Sequence, residues 1–122
     1  MQKLLIADDE PSLRLLVMAT VASDRYEIVE AADGDEAWAL IQEHRPKVAL
    51  LDVQMPGRTG LELARAIKAD PDLANTYVVL LTAKAQDADV AAGRAAGADQ
   101  YLTKPFSPLE LLTVLERALA AA

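Results

Sequence analysis

Short, uninterrupted apolar runs recur along this chain and alternate with segments of helical spacing. Three runs contain no polar residue: Leu4–Ala7, Val48–Leu51 and Val78–Leu81. Strands buried on both faces of a parallel sheet have this composition, because helices cover both faces. Two further runs, Tyr26–Glu30 and Gln100–Thr103, mix polar and apolar positions, so we expect them at the edges of the sheet. The pattern predicts an α/β sandwich.

The segments between these runs predict five helices. The last begins at Ser107–Glu110, where a capping box coincides with proline at the first helical position. A second capping signal joins Asp33 to Glu36. The fourth helix, roughly residues 87–96, has Val90 as its only large apolar residue, and we expect it to be the least firmly anchored. The other four helices have apolar faces at the spacing of a helix packed on a sheet: Leu13, Leu16, Val17 and Val21; Ala37, Leu40 and Ile41; Leu63, Ala64 and Ile67; Leu111, Val114, Leu115, Ala118 and Leu119.

The alternation of strands and helices restricts the topology. Parallel crossovers are right-handed and helices must cover both faces, so we predict a doubly wound five-stranded parallel sheet in the flavodoxin-like order 2-1-3-4-5. Neither an internal repeat nor a linker interrupts the chain, and residues 1–122 are expected to form a single domain. Ligands of such folds bind beyond the carboxyl ends of the strands, beside the point where the winding reverses.

Composition excludes several classes of function. A net charge of −7 disfavours direct nucleic-acid binding, which depends on basic surfaces. The absence of cysteine excludes disulfides and thiolate metal sites. The apolar runs are far shorter than the roughly 18 residues of a membrane-spanning helix. Because no signal peptide follows Met1, the cytoplasm is the expected location.

Polar residues follow four of the predicted strands. Asp8 and Asp9 come after the first strand, Asp52 after the third, Thr82 after the fourth and Lys104 after the fifth. Each alone could serve as a helix cap, a turn residue or a solvated surface group. Together, however, three carboxylates at adjoining strand ends repel one another unless a cation or a lysine neutralises them. Such oxygen donors suit Mg²⁺, and a carboxylate beside a metal, a lysine and a hydroxyl can accept a phosphoryl group.

Four sequence strings carry a resemblance to a known family. Ala7–Glu10, Leu51–Gly57, Leu81–Ala83 and Tyr101–Phe106 resemble the four signatures of the receiver (CheY-like) domain of two-component response regulators. The likeness covers essentially the whole chain, and the four strings occur in the right order at the right strand ends. It implies a phosphoacceptor signalling domain of a phosphorelay, which assists its own phosphorylation and dephosphorylation but is not an enzyme.

The resemblance also implies roles for individual residues. Asp52 would take a phosphoryl group from a phosphohistidine on a sensor histidine kinase or a histidine phosphotransfer protein. Asp9 and Asp52 would bind Mg²⁺ directly, together with the main-chain carbonyl of Gln54, and Asp8 would act mainly through water. Lys104 would pair with the phosphate.

The family further implies a switch. Thr82 would donate a hydrogen bond to the phosphate, and Tyr101 would turn inward beside the small Ala83. The Lys104–Pro105 peptide is usually cis in this family. Signalling would change the face made by the fourth helix, fifth strand and fifth helix, for a downstream protein or a fused output domain.

A weak homodimer belongs to the same set of expected partners. The winged-helix branch of the family pairs charges across a dimer of the fourth helix, fifth strand and fifth helix. Here Val90, Gln100 and Val114 occupy positions where that branch has charged residues, which disfavours that particular dimer.

Three other functions compete with this interpretation. A small phosphatase with an aspartyl-phosphate intermediate would share the metal and the nucleophile, but the predicted elements leave little chain for a leaving-group pocket or a cap. A nucleotide-binding module lacks support, since the chain has neither a G-x-x-x-x-G-K-[ST] loop nor a G-x-G-x-x-G fingerprint. A receiver that has lost phosphorylation would act only as a docking surface, and the intact polar set argues against it.

Overall fold

Strands and helices alternate along the part of the chain that the computed structural model describes, residues 2–21, 26–82 and 87–120. Side chains are described for all of these residues except 87–90 and 119. The elements are β1 (Gln2–Ala7), α1 (Pro11–Val21), β2 (Tyr26–Ala31), α2 (Gly34–His44), β3 (Val48–Asp52), α3 (Gly60–Ala69), β4 (Tyr77–Thr82), α4 (Asp87–Ala95), β5 (Gln100–Thr103) and α5 (Pro108–Ala120). The five strands form one parallel sheet in the order β2-β1-β3-β4-β5, which confirms the predicted fold.

The three apolar runs form the centre of this sheet. Every residue of β3 is buried, and β1 and β4 flank it on either side. The mixed runs form β2 and β5 at the two edges, as predicted. Ala7 pairs with Leu51, and Asp52 pairs with Leu81, so the carboxyl ends of the central strands lie side by side. The residues that follow these ends therefore meet at one edge of the sheet.

The core has two layers, one on each face of the sheet. Leu4 and Ile6 of β1 join the layer beneath α1 and α5, while Leu5 and Ala7 join the layer beneath α2 and α3. Burying a leucine or isoleucine side chain stabilises a fold by about 1.5–3 kcal/mol, so these layers hold the helices to the sheet. The fully buried large side chains include Leu4, Leu5, Ile6, Val17, Ile41, Leu50, Leu51, Leu63, Ile67, Leu80, Leu81 and Leu111.

The apolar face of α1 differs from the expectation in its first two turns. Val17 and Val21 are buried as predicted, but Leu13 and Leu16 are only partly buried against the same layer. The helix begins at Pro11, shortly after β1 ends, so its first turns lie near the end of the sheet and not over its centre.

Side chains cap the helices near their first residues. The predicted box at α5 is formed: Ser107 Oγ accepts from the Glu110 N–H at 3.2 Å, and the Glu110 carboxylate accepts from the Ser107 N–H at 3.3 Å. At α2, Asp33 accepts from the Glu36 N–H at 2.8 Å, but the Glu36 carboxylate accepts from Ala32, one residue before the cap. Both helix starts are therefore specified by local sequence.

The fourth helix ends in a glycine motif. Gly97 has a φ of +90°, and the N–H groups of Gly97 and Ala98 donate to the carbonyls of Arg94 and Gly93, both at 3.0 Å. This pair of hydrogen bonds is the Schellman arrangement, which favours glycine because the left-handed region strains other residues. The side chain of Val90, on which the predicted weak anchoring of this helix depends, lies outside the described residues.

The helices in the described ranges are short. α5, with 13 residues, is as long as any of them. Within those ranges, no helix combines the length and the apolar content needed to span a bilayer.

Candidate functional site

The carboxyl end of the sheet brings together two buried acids and a lysine. Asp8 follows β1, Asp52 ends β3 and Lys104 follows β5. Lys104 Nζ lies 2.8 Å from Asp8 Oδ2 and 3.2 Å from Asp52 Oδ2. The side chain of Asp8 is fully buried, and that of Asp52 is 10% exposed. One ammonium group therefore bridges two carboxylates, and solvent reaches the site at Asp52 and at Lys104, whose side chain is 16% exposed.

Local turns orient both aspartates. Asp8 Oδ1 accepts a hydrogen bond from the Glu10 N–H at 2.9 Å, and Asp52 Oδ1 accepts from the Gln54 N–H at 3.2 Å. Each aspartate thus forms an Asx-type turn with the residue two positions on. The turn uses Oδ1, so Oδ2 of each side chain is left to face Lys104.

The loop after Asp52 is tightly packed. A Cβ added at Gly60 would overlap the carbonyl oxygen of Asp52, and the Gly60 N–H donates to Val53 O at 3.2 Å. Thr59 and Glu62 cap α3 reciprocally, both at 3.2 Å, in a box that the sequence analysis did not predict although its T-x-x-E pattern was readable. Close packing and the cap hold the backbone that carries Asp52.

A cluster of carboxylates surrounds the lysine. Oxygen atoms of Asp8, Asp9 and Glu10 all lie within 4.8 Å of one another, and Glu10 Oε1 is 4.0 Å from Lys104 Nζ. Asp52 is not a member of that group of three and is joined to it through Lys104. Three carboxylates, those of Asp8, Glu10 and Asp52, lie within 4.0 Å of the ammonium, and Asp9 adds a fourth to the cluster, so the group carries an excess of three negative charges. An all-oxygen donor set of this charge fits a hard divalent cation such as Mg²⁺.

The site shifts the pKa values of two of its groups. Burial, together with the charge of Asp8, raises the pKa of Asp52, although Lys104 acts in the opposite direction. Burial alone would lower the pKa of Lys104, but its contacts with Asp8 and Asp52 outweigh burial and raise the pKa. Lys104 is therefore held in its charged form. Burial and the charge of Asp8 disfavour the ionised form of Asp52, and a further positive charge nearby would stabilise it.

The predicted switch residues lie on β4 and β5. Thr82 ends β4, is 6% exposed, and its carbonyl accepts from the Lys104 N–H at 2.7 Å. Tyr101 of β5 is half-buried against the core layer beneath α2 and α3. A Cβ added at Gly93 of α4 would overlap Oη and Cζ of Tyr101, so that glycine makes room for the ring. Ala83 lies outside the described residues.

The backbone after β5 has the geometry that the resemblance implied. The Lys104–Pro105 peptide bond is cis. Phe106 is buried in the layer beneath α1 and α5, which fastens the segment just beyond Lys104 to the core.

Two residues at the site were missed by sequence reasoning. Glu10 extends the acidic run after β1, a signal that was available in the sequence. Arg14 donates through Nη1 to the main-chain oxygen of Asp8 at 2.6 Å and through Nε to Glu30 at 3.3 Å. No local pattern marks Arg14, because its partners come from β2 and the end of β1.

Known proteins are similar to this chain in sequence and in fold. Residues 4–116 match the response regulator receiver domain family. The phosphate regulon transcriptional regulatory protein PhoB of Pseudomonas aeruginosa is 39% identical over 116 residues, which cover 95% of this chain and 51% of that protein. The chain spans about half the length of the curated relatives it matches.

Solved structures agree with this match. The chemotaxis response regulator CheY4 of Vibrio cholerae superposes with a TM-score of 0.90 at 38% identity, covering 97% of this chain and 98% of that one. The receiver domain of sensor histidine kinase PA1611 from Pseudomonas aeruginosa, solved with magnesium coordinated in its active-site cleft, has a TM-score of 0.87 at 29% identity, with 98% of each chain covered. This chain belongs to the receiver domain family of two-component response regulators.

Proposed function

We propose that Asp52 is the phosphoacceptor of a two-component phosphorelay. The observation that carries the proposal is the lysine bridge: Asp52 is nearly buried at the end of β3, with Lys104 Nζ 3.2 Å from its Oδ2. An oxygen of the Asp52 carboxylate attacks the phosphorus of a phosphohistidine, the P–N bond breaks, and the histidine nitrogen leaves with the electron pair and takes a proton from solvent. The product is an aspartyl phosphate.

The chain's own residues supply positioning and charge. Lys104 exchanges part of its contact with Asp52 for the phosphoryl oxygens, and Asp8 keeps the ammonium in place from 2.8 Å. Thr82, at the end of the neighbouring strand β4, donates its hydroxyl hydrogen to a phosphoryl oxygen. Phosphoryl transfer is accelerated mostly by such positioning and charge neutralisation, so these residues supply the kinds of interaction that the reaction needs.

The acidic side of the site holds Mg²⁺ in this proposal. Asp9 and Asp52 are its direct carboxylate ligands with the main-chain carbonyl of Gln54, and Asp8 acts through water. Glu10, whose oxygen lies within the same 4.8 Å cluster, is an added candidate for the water-mediated shell. When bound, the ion neutralises carboxylate and phosphoryl oxygens and so lowers the repulsion that the phosphate meets. The magnesium seen in the PA1611 receiver domain supports this assignment.

The partners follow from the chemistry. The donor is a sensor histidine kinase or a histidine phosphotransfer protein, and residues 1–122 act in the cytoplasm as a single receiver domain and not as a turnover enzyme. The output is a downstream protein or a fused domain, in keeping with relatives about twice as long as this chain. A weak homodimer and the absence of direct nucleic-acid contact stay predictions. The name of the relative PhoB, a transcriptional regulatory protein, gives the second prediction no support.

The signal leaves through α4, β5 and α5 in this proposal. Thr82 moves toward the phosphate, and space opens beside Ala83 for Tyr101 to turn inward. Tyr101 already lies against Gly93 of α4, so a movement of its ring changes the packing of that helix. A few charge-assisted hydrogen bonds at the phosphate are enough to shift a helix between two packed positions of similar energy.

Phosphorylation by a small acyl phosphate tests the assignment. With Mg²⁺, the chain should gain the mass of one phosphoryl group, labile to hydroxylamine, and Asp52→Asn should remain unlabelled. Asp35→Asn is the matched control, since Asp35 is an aspartate with a 75% exposed side chain outside the site. Labelling of Asp52→Asn at the wild-type level would refute the proposal. Hydrolysis of ordinary phosphate monoesters, which are not high-energy phosphoryl donors as phosphohistidine and acyl phosphates are, would favour a phosphatase instead.

A further inference from the structure

A basic cavity lies at the edge of the sheet where the strands begin, opposite the Asp52 site. The cavity is wide open to solvent. Its volume is about 360 Å³, and its walls come from the start of β1, the end of α2 and the segments that lead into β3 and β4. Ligand pockets for small molecules begin at roughly 300 Å³, so the space is large enough for a compact ligand.

The cavity is positively charged, although the chain as a whole is negatively charged. Lys3, Arg45 and Lys47 line it together with one acid, Asp72, so the lining residues carry a charge of +2. Glu43, which is not a lining residue, lies 3.5 Å from Nε2 of the lining His44. The whole chain carries −7, so the remaining residues sum to −9. Cations are thus gathered at one place on an otherwise strongly acidic protein, where they create an attractive field for anions.

The two lysines of the cavity have no carboxylate partner. Lys3 Nζ lies 2.9 Å from His44 Nδ1, and because an ammonium can only donate, the imidazole nitrogen accepts. Within the described ranges, no acidic oxygen comes within 4.0 Å of Lys3 or Lys47. Their charges are therefore available to a ligand without breaking an ion pair.

The third cation is held loosely. Arg45 lies 3.9 Å from Asp72, and both side chains are well exposed, at 64% and 70%, so solvent screens the pair. Arg45 also ends α2 in the left-handed conformation, with its N–H bonded to Ile41 O at 2.9 Å. The partial negative charge at this helix end, about half an elementary charge, opposes an anion but is smaller than the local excess of two positive charges.

We propose that this cavity binds a small anion that carries two or more linked phosphate groups. Linked phosphates offer several anionic oxygens to the three cations of the wall, and the arginine fork and lysine ammonium groups are the side chains that recognise phosphate oxygens. Lys3 lies on β1 and Asp8 directly follows that strand, so the two are five residues apart, or about 16 Å at the rise of a strand. That separation is about two Debye lengths at physiological salt, so the acidic site hardly repels a ligand bound here.

The test uses inorganic pyrophosphate and the full chain, without Mg²⁺. Calorimetric titration should show one saturable site, and amide NMR should show shifts at Lys3, Arg45 and Asn75. Lys47→Gln should weaken binding by about tenfold, the typical loss for one charge-assisted contact. Arg65→Gln is the matched control, since it removes an exposed cation outside the cavity and should leave the affinity unchanged.

Two results would overturn the proposal. Binding that disappears in Lys104→Gln but persists in Lys47→Gln would place pyrophosphate at the Asp52 site. A response reproduced by sodium chloride at matched ionic strength would be general screening and not binding. Because neither arm uses phosphorylation, failure here is distinguishable from failure of the phosphoacceptor assignment.

Discussion

Replacing Gly93 by alanine tests whether α4 and Tyr101 are packed together as the structure describes. An added Cβ would overlap Oη and Cζ of Tyr101 and lie 2.9 Å from its Cε1. All three atoms belong to the rigid phenol group, so the side chain cannot give way by bending and has to swing off the helix. Tyr101→Phe would not relieve the overlap, because Cζ remains.

Two opposing effects set the magnitude. Alanine in place of a helical glycine stabilises by about 0.5–1 kcal/mol. Overpacking a filled contact costs about 1–3 kcal/mol, and the half-buried Tyr101 puts this case near the lower half of that range. We expect Gly93→Ala to lower the free energy of unfolding by roughly 0.5–1 kcal/mol, a fall in Tm of about 2–4 °C for a domain of this size.

A double-mutant cycle tests the contact through the sign of the stability change that Gly93→Ala causes with and without Tyr101. In the Tyr101→Ala background the obstructing ring is absent, so Gly93→Ala should instead stabilise by about 0.5–1 kcal/mol. Urea denaturation of the four chains measures the coupling directly. If Gly93→Ala changes stability equally in both backgrounds, then Tyr101 does not occupy the space beside Gly93, and the packing argument for the switch fails.

Three further outcomes are expected, two from the geometry of the acidic site and one from the contacts of Lys68 on α3. Mg²⁺ at ten times its dissociation constant should raise the free energy of unfolding by about 1.4 kcal/mol, measured by thermal melting. Asp9→Asn should reduce this gain, whereas Glu116→Gln, a control that removes an exposed carboxylate outside the site, should leave it unchanged. Because the pKa of Asp52 is raised in the folded chain, the ionised Asp52 carboxylate lowers the stability of the fold at neutral pH. Without Mg²⁺, Asp52→Asn should therefore be more stable than wild type at pH 7, as measured by thermal melting. The difference should vanish below pH 3.8, the ordinary pKa of the carboxyl group, where Asp52 is protonated in both the folded and the unfolded chain. Lys68→Met should cost about 2 kcal/mol in denaturation, because its Nζ pairs with Asp99 at 2.8 Å and donates to two carbonyls of the segment before β4; no loss would mean that this anchor is dispensable.

The order of the elements was readable from the sequence because it depends on local pattern. Continuous apolar runs identified the central strands, mixed runs identified the edges, and the right-handed crossover rule left one natural strand order. The cap of α5 followed from Ser107 and Glu110 for the same reason, since its hydrogen bonds join residues only three apart. Even the meeting of Asp8, Asp52 and Lys104 at one edge was predictable, because parallel strands end together.

Only the tertiary structure decided which atoms touch. Lys104 bridges Asp8 and Asp52, and Lys3 meets His44 across 41 positions of sequence. The space that Gly93 leaves for Tyr101 has no signature in either segment. Periodicity reports which face of an element is buried, but distances between side chains from distant elements depend on strand register and helix packing. Those are set by the whole core at once, which is why the fold could be predicted from sequence while the basic cavity could not.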